Sequence, residues 1–346
     1  MKPLVLDSRR IGDGYPVYFI AEIGGNFSSY NEGVKIIKSA IKAGANAVKV
    51  QTYLAENYVS RFAEFTMPNV GKKKNQLKII KKLELDLTIQ KKLFEYCKKK
   101  NITFFSTPSH KTDIEFLEQV ENKIYKIGSD DLTNIPFIEE ISKTKKPTIM
   151  STGMSNMKEV QDSVNAFYST ENKKLSLLHC VSMYPFEPKF ANLQTIVTMK
   201  KKFGIPIGWS DHTKGIEVCV AAAGLGANII EKHYTLDRHA KGPDHMLSAN
   251  PKEFSQMVNM IRIMETSKGT GKKYPALCEI KNIKDIRKSL VASHEIQKGT
   301  TITKDMINIK RPGTGLEPKY FTKIIGKKAK KTILFDEPIK GKYLTS

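Results

Sequence analysis

Cysteine is scarce: Cys97, Cys180, Cys219 and Cys278 are scattered over 346 residues and form no CxxC pair. That excludes a disulfide framework and a cysteine metal site, and makes reduced thiols in a cytoplasmic setting the expectation. Long apolar runs are missing too. The most apolar stretch, Val218 to Ile230, is interrupted by Gly224 and Gly226, short of the roughly 20 residues a membrane helix needs. The opening MKPLVLDSRRIGDG has no apolar core of signal-peptide length. No GxGxxG follows the first strand-like run, which argues against an open doubly wound dinucleotide fold. Arginine is limited to Arg9, Arg10, Arg61, Arg238, Arg262, Arg287 and Arg311, so the formal charge of +22 is almost all lysine. Base-edge and bidentate phosphate readers favour arginine, so nucleic acid is not the expected partner. Runs such as Lys72-Lys73-Lys74 and Lys98-Lys99-Lys100 read as solvated helix ends and loops, and the lysine excess suits a small anionic substrate.

What is present is the composition of a globular chain, 40% hydrophobic and 27% charged, long enough for one large domain and a small one. Strand-like runs occur at VYFIAEIG (17–24), AVKVQTY (47–53), TFFSTP (103–108), YKIGS (125–129), PTIMSTG (147–153), LSLLHCV (175–181), PIGWSDH (206–212) and NIIEKHYTL (228–236). Helical patterns lie between them, among them 32–45, 87–100, 135–144 and 215–227. This alternation predicts an α/β fold of parallel βαβ units, and eight strands is the number that closes a (β/α)₈ TIM barrel. The barrel is expected over 1–267. The polar, Gly- and Lys-rich stretch 268–288 reads as a linker, and 289–346 as a small unit of short strands with turns at Lys298-Gly299 and Pro312-Gly313. A unit of about 60 residues has a marginal core alone and is expected to dock on something.

The polar residues fall at the predicted strand ends: Glu22; Lys49 and Gln51; Thr107; Lys126 and Ser129; Ser151; His179 and Ser182; Ser210 and His212; Glu231 and His233. In a barrel these ends meet at one face, where active sites are built. Any one of them could cap the next helix, but caps use Ser, Thr, Asp or Asn, not two lysines and two histidines. Lys49 and Lys126, with Thr107, Ser129, Ser151 and Ser210 around them, suit a small, densely charged anion such as a phosphorylated carboxylate. A Schiff-base lysine would instead need an apolar pocket. His212 and His233 end adjacent strands beside Asp211, Glu231 and Asp244, so two imidazoles can converge on a divalent cation. Oxygens from water or substrate would complete the shell and leave the cation free to act as a Lewis acid. His239 and His245 have no partner by spacing and read as solvated or supporting residues.

The series AEIGGNF, KVQTY, FSTPSH, YKIGS, STGM, LHCVSMYP, IGWSDHT and EKHYTLDRHAKGPDHMLS resembles the sialic acid (N-acetylneuraminate) synthases, in their order and over essentially the whole chain. The tail from KSLVASHEI to RPGTG is similar to their C-terminal antifreeze-like, or SAF, domain. The resemblance implies a (β/α)₈ barrel that condenses phosphoenolpyruvate with an N-acylated hexosamine, N-acetylmannosamine in the leading case, with C–O cleavage and release of phosphate. It implies phosphoenolpyruvate contacts from Lys49, Gln51, Thr107, Lys126, Ser129, Ser151 and Ser210, and Mn²⁺ or Mg²⁺ at His212 and His233. Sugar contacts from Tyr184 and Asp244, and acid/base work by Glu22 or Glu231, follow in the same way. It also implies a domain-swapped homodimer in which Arg311 of the RPG motif touches the sugar's N-acyl group in the partner's barrel. Two departures stand out. Ser182 occupies the place of an amide expected to contact the sugar, and STPSH replaces the more usual STPFD or STPFS, putting His110 near the rim of the third strand. Both lie on the sugar side. They keep open a legionaminate or pseudaminate synthase using a diacetamido trideoxyhexose. A non-catalytic sugar binder is a further reading, which retention of both the lysines and the histidines disfavours.

Overall fold

The computed structural model describes residues 2–66 and 73–345; of the lysine run at 72–74, Lys72 lies outside them and Lys74 is exposed. The chain divides into two compact units, Met1–Gly269 and Thr270–Ser346.

The first unit is a closed barrel of eight parallel strands in sequence order. These are β1 (Tyr18–Glu22), β2 (Ala47–Thr52), β3 (Thr103–Pro108), β4 (Tyr125–Ile127), β5 (Thr148–Ser151), β6 (Leu175–Cys180), β7 (Ile207–Asp211) and β8 (Ile229–His233). A helix follows each: α1 (Tyr30–Lys42), α2 (Leu87–Lys99), α3 (Lys111–Gln119), α4 (Ile135–Lys143), α5 (Met157–Ser169), α6 (Gln194–Phe203), α7 (Glu217–Gly224) and α8 (Pro251–Ser267). The helices start where their sequences tell them to. Ser29 and Glu32 close a capping box on α1, and Gly33, Ile36, Ile37 and Ala40 then turn one buried stripe toward the strands. Asn250 and Glu253 do the same for α8, with Pro251 at its first position.

The two-residue period of the strands sorts side chains between two cores. Inward-facing Tyr18, Ile20, Ala47, Phe105, Ile149, Leu178 and Ile229 pack inside the barrel, and Leu4, Leu6 and Ile11 of an antiparallel N-terminal hairpin belong to the same cluster. The other parity, including Phe19, Val48, Val50, Phe104, Trp209 and Ile230, packs against the helices. Each such side chain contributes about 1.5–3 kcal/mol when fully buried. At Gly208 a Cβ would come within 2.5 Å of the Ile229 carbonyl oxygen, so only glycine fits there. One further step along the inward register from this core reaches Glu22, Lys49, Lys126, Ser151, Cys180, Ser210 and Glu231. Interior packing therefore fixes which strand-end residues look into the mouth.

The second unit pairs Ser289–Ala292 with Ile307–Lys310 antiparallel around Leu290, Ile296, Ile302, Ile324, Ile333 and Ile339. The stretch expected as a linker differs from that expectation. It holds a helical turn, Leu277–Glu279, and a short helix, Ile280–Ile286, and the Gly313 amide donates to the Lys284 carbonyl at 2.7 Å. Its apolar residues recur every three positions, a helical signal that the surrounding lysines hide. Among the described residues no helix is long and apolar enough to cross a membrane.

Candidate active site

Four buried charges occupy the mouth. Lys49, on β2, is ion-paired with Glu22 of β1, donates to Thr107 Oγ1 of β3 at 3.1 Å, and has its Nζ 3.9 Å from Glu231 Oε2. Lys126, on β4, donates to Ser151 Oγ of β5 at 2.6 Å and to its neighbour's carbonyl, Ile127 O, at 3.1 Å; its Nζ is 3.9 Å from Glu231 Oε1. Ser210 Oγ donates to Glu231 Oε1 at 3.0 Å, and the Gly24 amide donates to Glu22 Oε1 at 2.6 Å. Burial disfavours the Lys49 cation, but the Glu22 and Glu231 carboxylates outweigh it and hold its pKa above the usual value. Burial likewise works against the Glu231 carboxylate and is overcome by Lys126 and Lys49, which keep its pKa low. Lys126 goes the other way: burial, with Lys49 beside it, lowers its pKa despite Glu231. Thr107 and Ser151 therefore act first as hydrogen-bond partners that aim the two ammonium groups. Ser129 accepts from the Gly153 amide at 3.0 Å. Gln51 sits half-buried two residues beyond Lys49 on the same inward register.

His212 and His233 bring their rings to 5.4 Å between centroids. The Nδ1 of His212 donates to the Val181 carbonyl at 2.8 Å, leaving Nε2 as the nitrogen with a free lone pair. His233 Nδ1 is buried, has no hydrogen-bond partner among the described residues, and lies 3.6 Å from Asp244 Oδ2. Burial, reinforced by Glu22, pushes the Asp244 carboxyl up to about 6. Tyr184 is exposed and stacks over His212 at 3.9 Å. Ser182 Oγ is buried without a partner among the described residues, next to Gly153 and Ser129. No group of three or more His, Cys, Asp or Glu side chains among the described residues is arranged as a metal cage, so the histidine pair offers two nitrogens and no more. Arg311 is an exposed residue of the second unit.

Other sequence-picked residues fall elsewhere. His179 has the outward parity: its Nε2 bonds the Ala191 carbonyl at 2.8 Å and its ring lies against Trp209. Asp211 also faces outward, paired with the fully buried Lys232. His110 caps α3, in a capping box with Asp113. His245 is buried against Thr235 Oγ1 at 2.7 Å, and His239 is exposed. Two residues of the mouth escaped the sequence reading. Cys180 Sγ is 3.8 Å from His212 Nδ1, and Asp130 accepts from Tyr58 Oη at 2.6 Å. Cys180 was legible, since it stands two places after the inward Leu178.

The NeuB family model matches residues 36–273, and the SAF domain model residues 287–344. The chain belongs to the NeuB family. Among its NeuB relatives is the N,N'-diacetyllegionaminic acid synthase of Campylobacter jejuni, 37% identical over 93% of this chain and 98% of that one. A pseudaminic acid synthase of the same species is 35% identical over 94% and 95%. The crystal structure of N-acetylneuraminic acid (sialic acid) synthetase from Leptospira borgpetersenii superposes with a TM-score of 0.73 at 36% identity, covering 82% of this chain and 95% of that one. The NeuB family thus holds sialic, legionaminic and pseudaminic acid synthases, and this chain is an enzyme of transferase type.

Proposed function

We propose that the protein condenses phosphoenolpyruvate with the open-chain aldehyde of an N-acylated hexosamine, N-acetylmannosamine in the first instance, to give a nine-carbon sugar acid and phosphate. The observation that carries this reading is the pair of buried ammonium groups, Lys49 and Lys126, aimed by Thr107 and Ser151 beside two carboxylates in one barrel mouth. Phosphoenolpyruvate, dense in charge and small, is bound by the two lysines with Gln51, Ser129 and Ser210. Ser182, Tyr184 and Asp244 contact the sugar. The free Nε2 of His212 and the unpartnered Nδ1 of His233 fit a divalent cation, Mn²⁺ or Mg²⁺, which when bound supplies Lewis-acid polarisation of the aldehyde. The enolpyruvate C3 forms the new C–C bond to the aldehyde carbon, whose oxygen takes up a proton. Water adds at C2 and gives one proton to Glu22 or Glu231. The C2–O bond to the bridging oxygen then breaks as the C2 hydroxyl passes its remaining proton to the departing phosphate, leaving the C2 ketone. Arg311 reaches the N-acyl group in the partner subunit's barrel, in a domain-swapped homodimer.

A second acceptor class, a diacetamido trideoxyhexose, is favoured by Ser182 and by the 37% identity to the legionaminic acid synthase. A panel of N-acetylmannosamine and the legionaminate and pseudaminate precursors, with phosphoenolpyruvate and Mn²⁺, ranks them by kcat/KM. Phosphate release with one of the three is the expected result; none with any of them overturns the proposal.

A further inference from the structure

The pair Asp211–Lys232 has no role in the chemistry above, yet it is the most deeply buried ion pair among the described residues, with both side chains at 0% exposure. Its setting is specific. Asp211 and Lys232 are register partners on β7 and β8, one position after the partners Ser210 and Glu231. The pleat sends Ser210 and Glu231 into the mouth and Asp211 and Lys232 outward, while His212 and His233 follow on the inward side. Lys232 Nζ donates to the Asp211 carboxylate and to the Thr213 carbonyl. Both neighbours of His212 are therefore tied to the residue that lies between Glu231 and His233. The same carboxylate accepts from Trp209 Nε1 at 3.1 Å, from Thr213 Oγ1 at 2.9 Å, and from Cys219 Sγ of α7 at 3.4 Å.

A buried ion pair is weak evidence for stability, because desolvating two charges offsets most of their attraction. Fixing geometry is the better-attested use of such a pair. We infer that Asp211 and Lys232 are positioning residues: from behind the barrel wall they set the spacing and orientation of His212 and His233, and so tune the affinity of the cation site. This inference rests on the proposed binding of a divalent cation by those two histidines.

The test compares wild type, His233→Ala and the double variant Asp211→Asn/Lys232→Met, all full-length. The double variant removes both charges together, and the amide oxygen that Asp211→Asn introduces can still accept from Trp209 and Thr213. Mn²⁺ dissociation constants are read by electron paramagnetic resonance without substrates, and kcat, KM and melting temperature are measured alongside. The expected result is a folded double variant melting near wild type, with Mn²⁺ bound on the order of 10–100-fold more weakly and kcat reduced. Faster hydrogen exchange over residues 210–214 is expected with it. A folded double variant whose Mn²⁺ affinity and kcat stay at wild-type level overturns the inference. Should the double variant not fold, Thr213→Val decides. It removes one donor to the carboxylate and keeps the backbone carbonyl; a several-fold loss of Mn²⁺ affinity supports the inference and an unchanged affinity overturns it. Wild type whose Mn²⁺ binding is indifferent to His233→Ala refutes the cation site itself, and the inference falls with it.

Discussion

The lysine side of the mouth and the histidine side differ in how far the protein satisfies its own polar groups. On β2 to β5, Lys49 and Lys126 are hydrogen-bonded to Thr107 and Ser151, and Ser129 holds the Gly153 amide. On β6 to β8 and the loops beyond them, Ser182 Oγ and His233 Nδ1 are buried with no partner among the described residues, whereas Glu22 Oε2 and Glu231 Oε2, which also lack a hydrogen bond, face the Lys49 ammonium as ion pairs. An unpartnered buried polar atom costs about 1–3 kcal/mol, so such atoms persist where something that binds completes them. Under the proposed function, the lysine side would be preorganised for phosphoenolpyruvate and the histidine side would be completed by its ligands. Ser182 stands at the seam of the two sides, next to Ser129 and Gly153, and His110 caps the helix that follows β3.

Removing a lysine breaks the comparison most severely. Lys126→Ala leaves Ser151 without its cation and Glu231 with Lys49 alone, and phosphate release is expected to fall about 10²–10³-fold. Stopped-flow kinetics at saturating sugar checks this; a loss confined to the KM for sugar would contradict the division of the mouth. Ser182→Asn tests the other side more gently. It should reorder the kcat/KM values of the sugar panel by about 3–10-fold, the worth of one hydrogen bond, with the KM for phosphoenolpyruvate unmoved. A change in the phosphoenolpyruvate KM alone would place Ser182 with the lysines.

The smallest effect concerns Asp131, in the loop after β4, which has no ammonium partner among the described residues. Burial, with Asp130 adding to it and the Asn134 amide opposing, pushes the Asp131 carboxyl up to about 6 from 3.8. The folded protein therefore keeps a proton that the unfolded chain gives up. The stabilisation from that proton is complete below about pH 4 and lost as pH rises through about 6. Asp131→Asn should melt above wild type at about pH 8 and match it near pH 4. A difference in melting temperature independent of pH would assign it to packing instead.

The barrel was legible because eight β-branched or aromatic runs alternate with helical stripes, and each of the eight barrel strands falls within its expected run. Strand ends as such were also legible. What was missed is parity. His179 is polar and terminal, and Asp211 adjoins the histidine pair in sequence, but both stand one residue off the inward register set by Leu178 and Gly208, and so face the helices. The same rule, applied from Leu178, points Cys180 inward. The pairing of Asp211 with Lys232 needs the β7–β8 register, which no local pattern encodes. The helix at Ile280–Ile286 was hidden by its lysines.

The proposed chemistry is tested most directly by where one oxygen goes. Phosphoenolpyruvate labelled with ¹⁸O at the bridging position, incubated with the enzyme, Mn²⁺ and the best sugar of the panel, is predicted to yield phosphate that carries the label, in equal amount with the sugar acid. Label left in the organic product, or sugar acid formed without phosphate, would contradict the account.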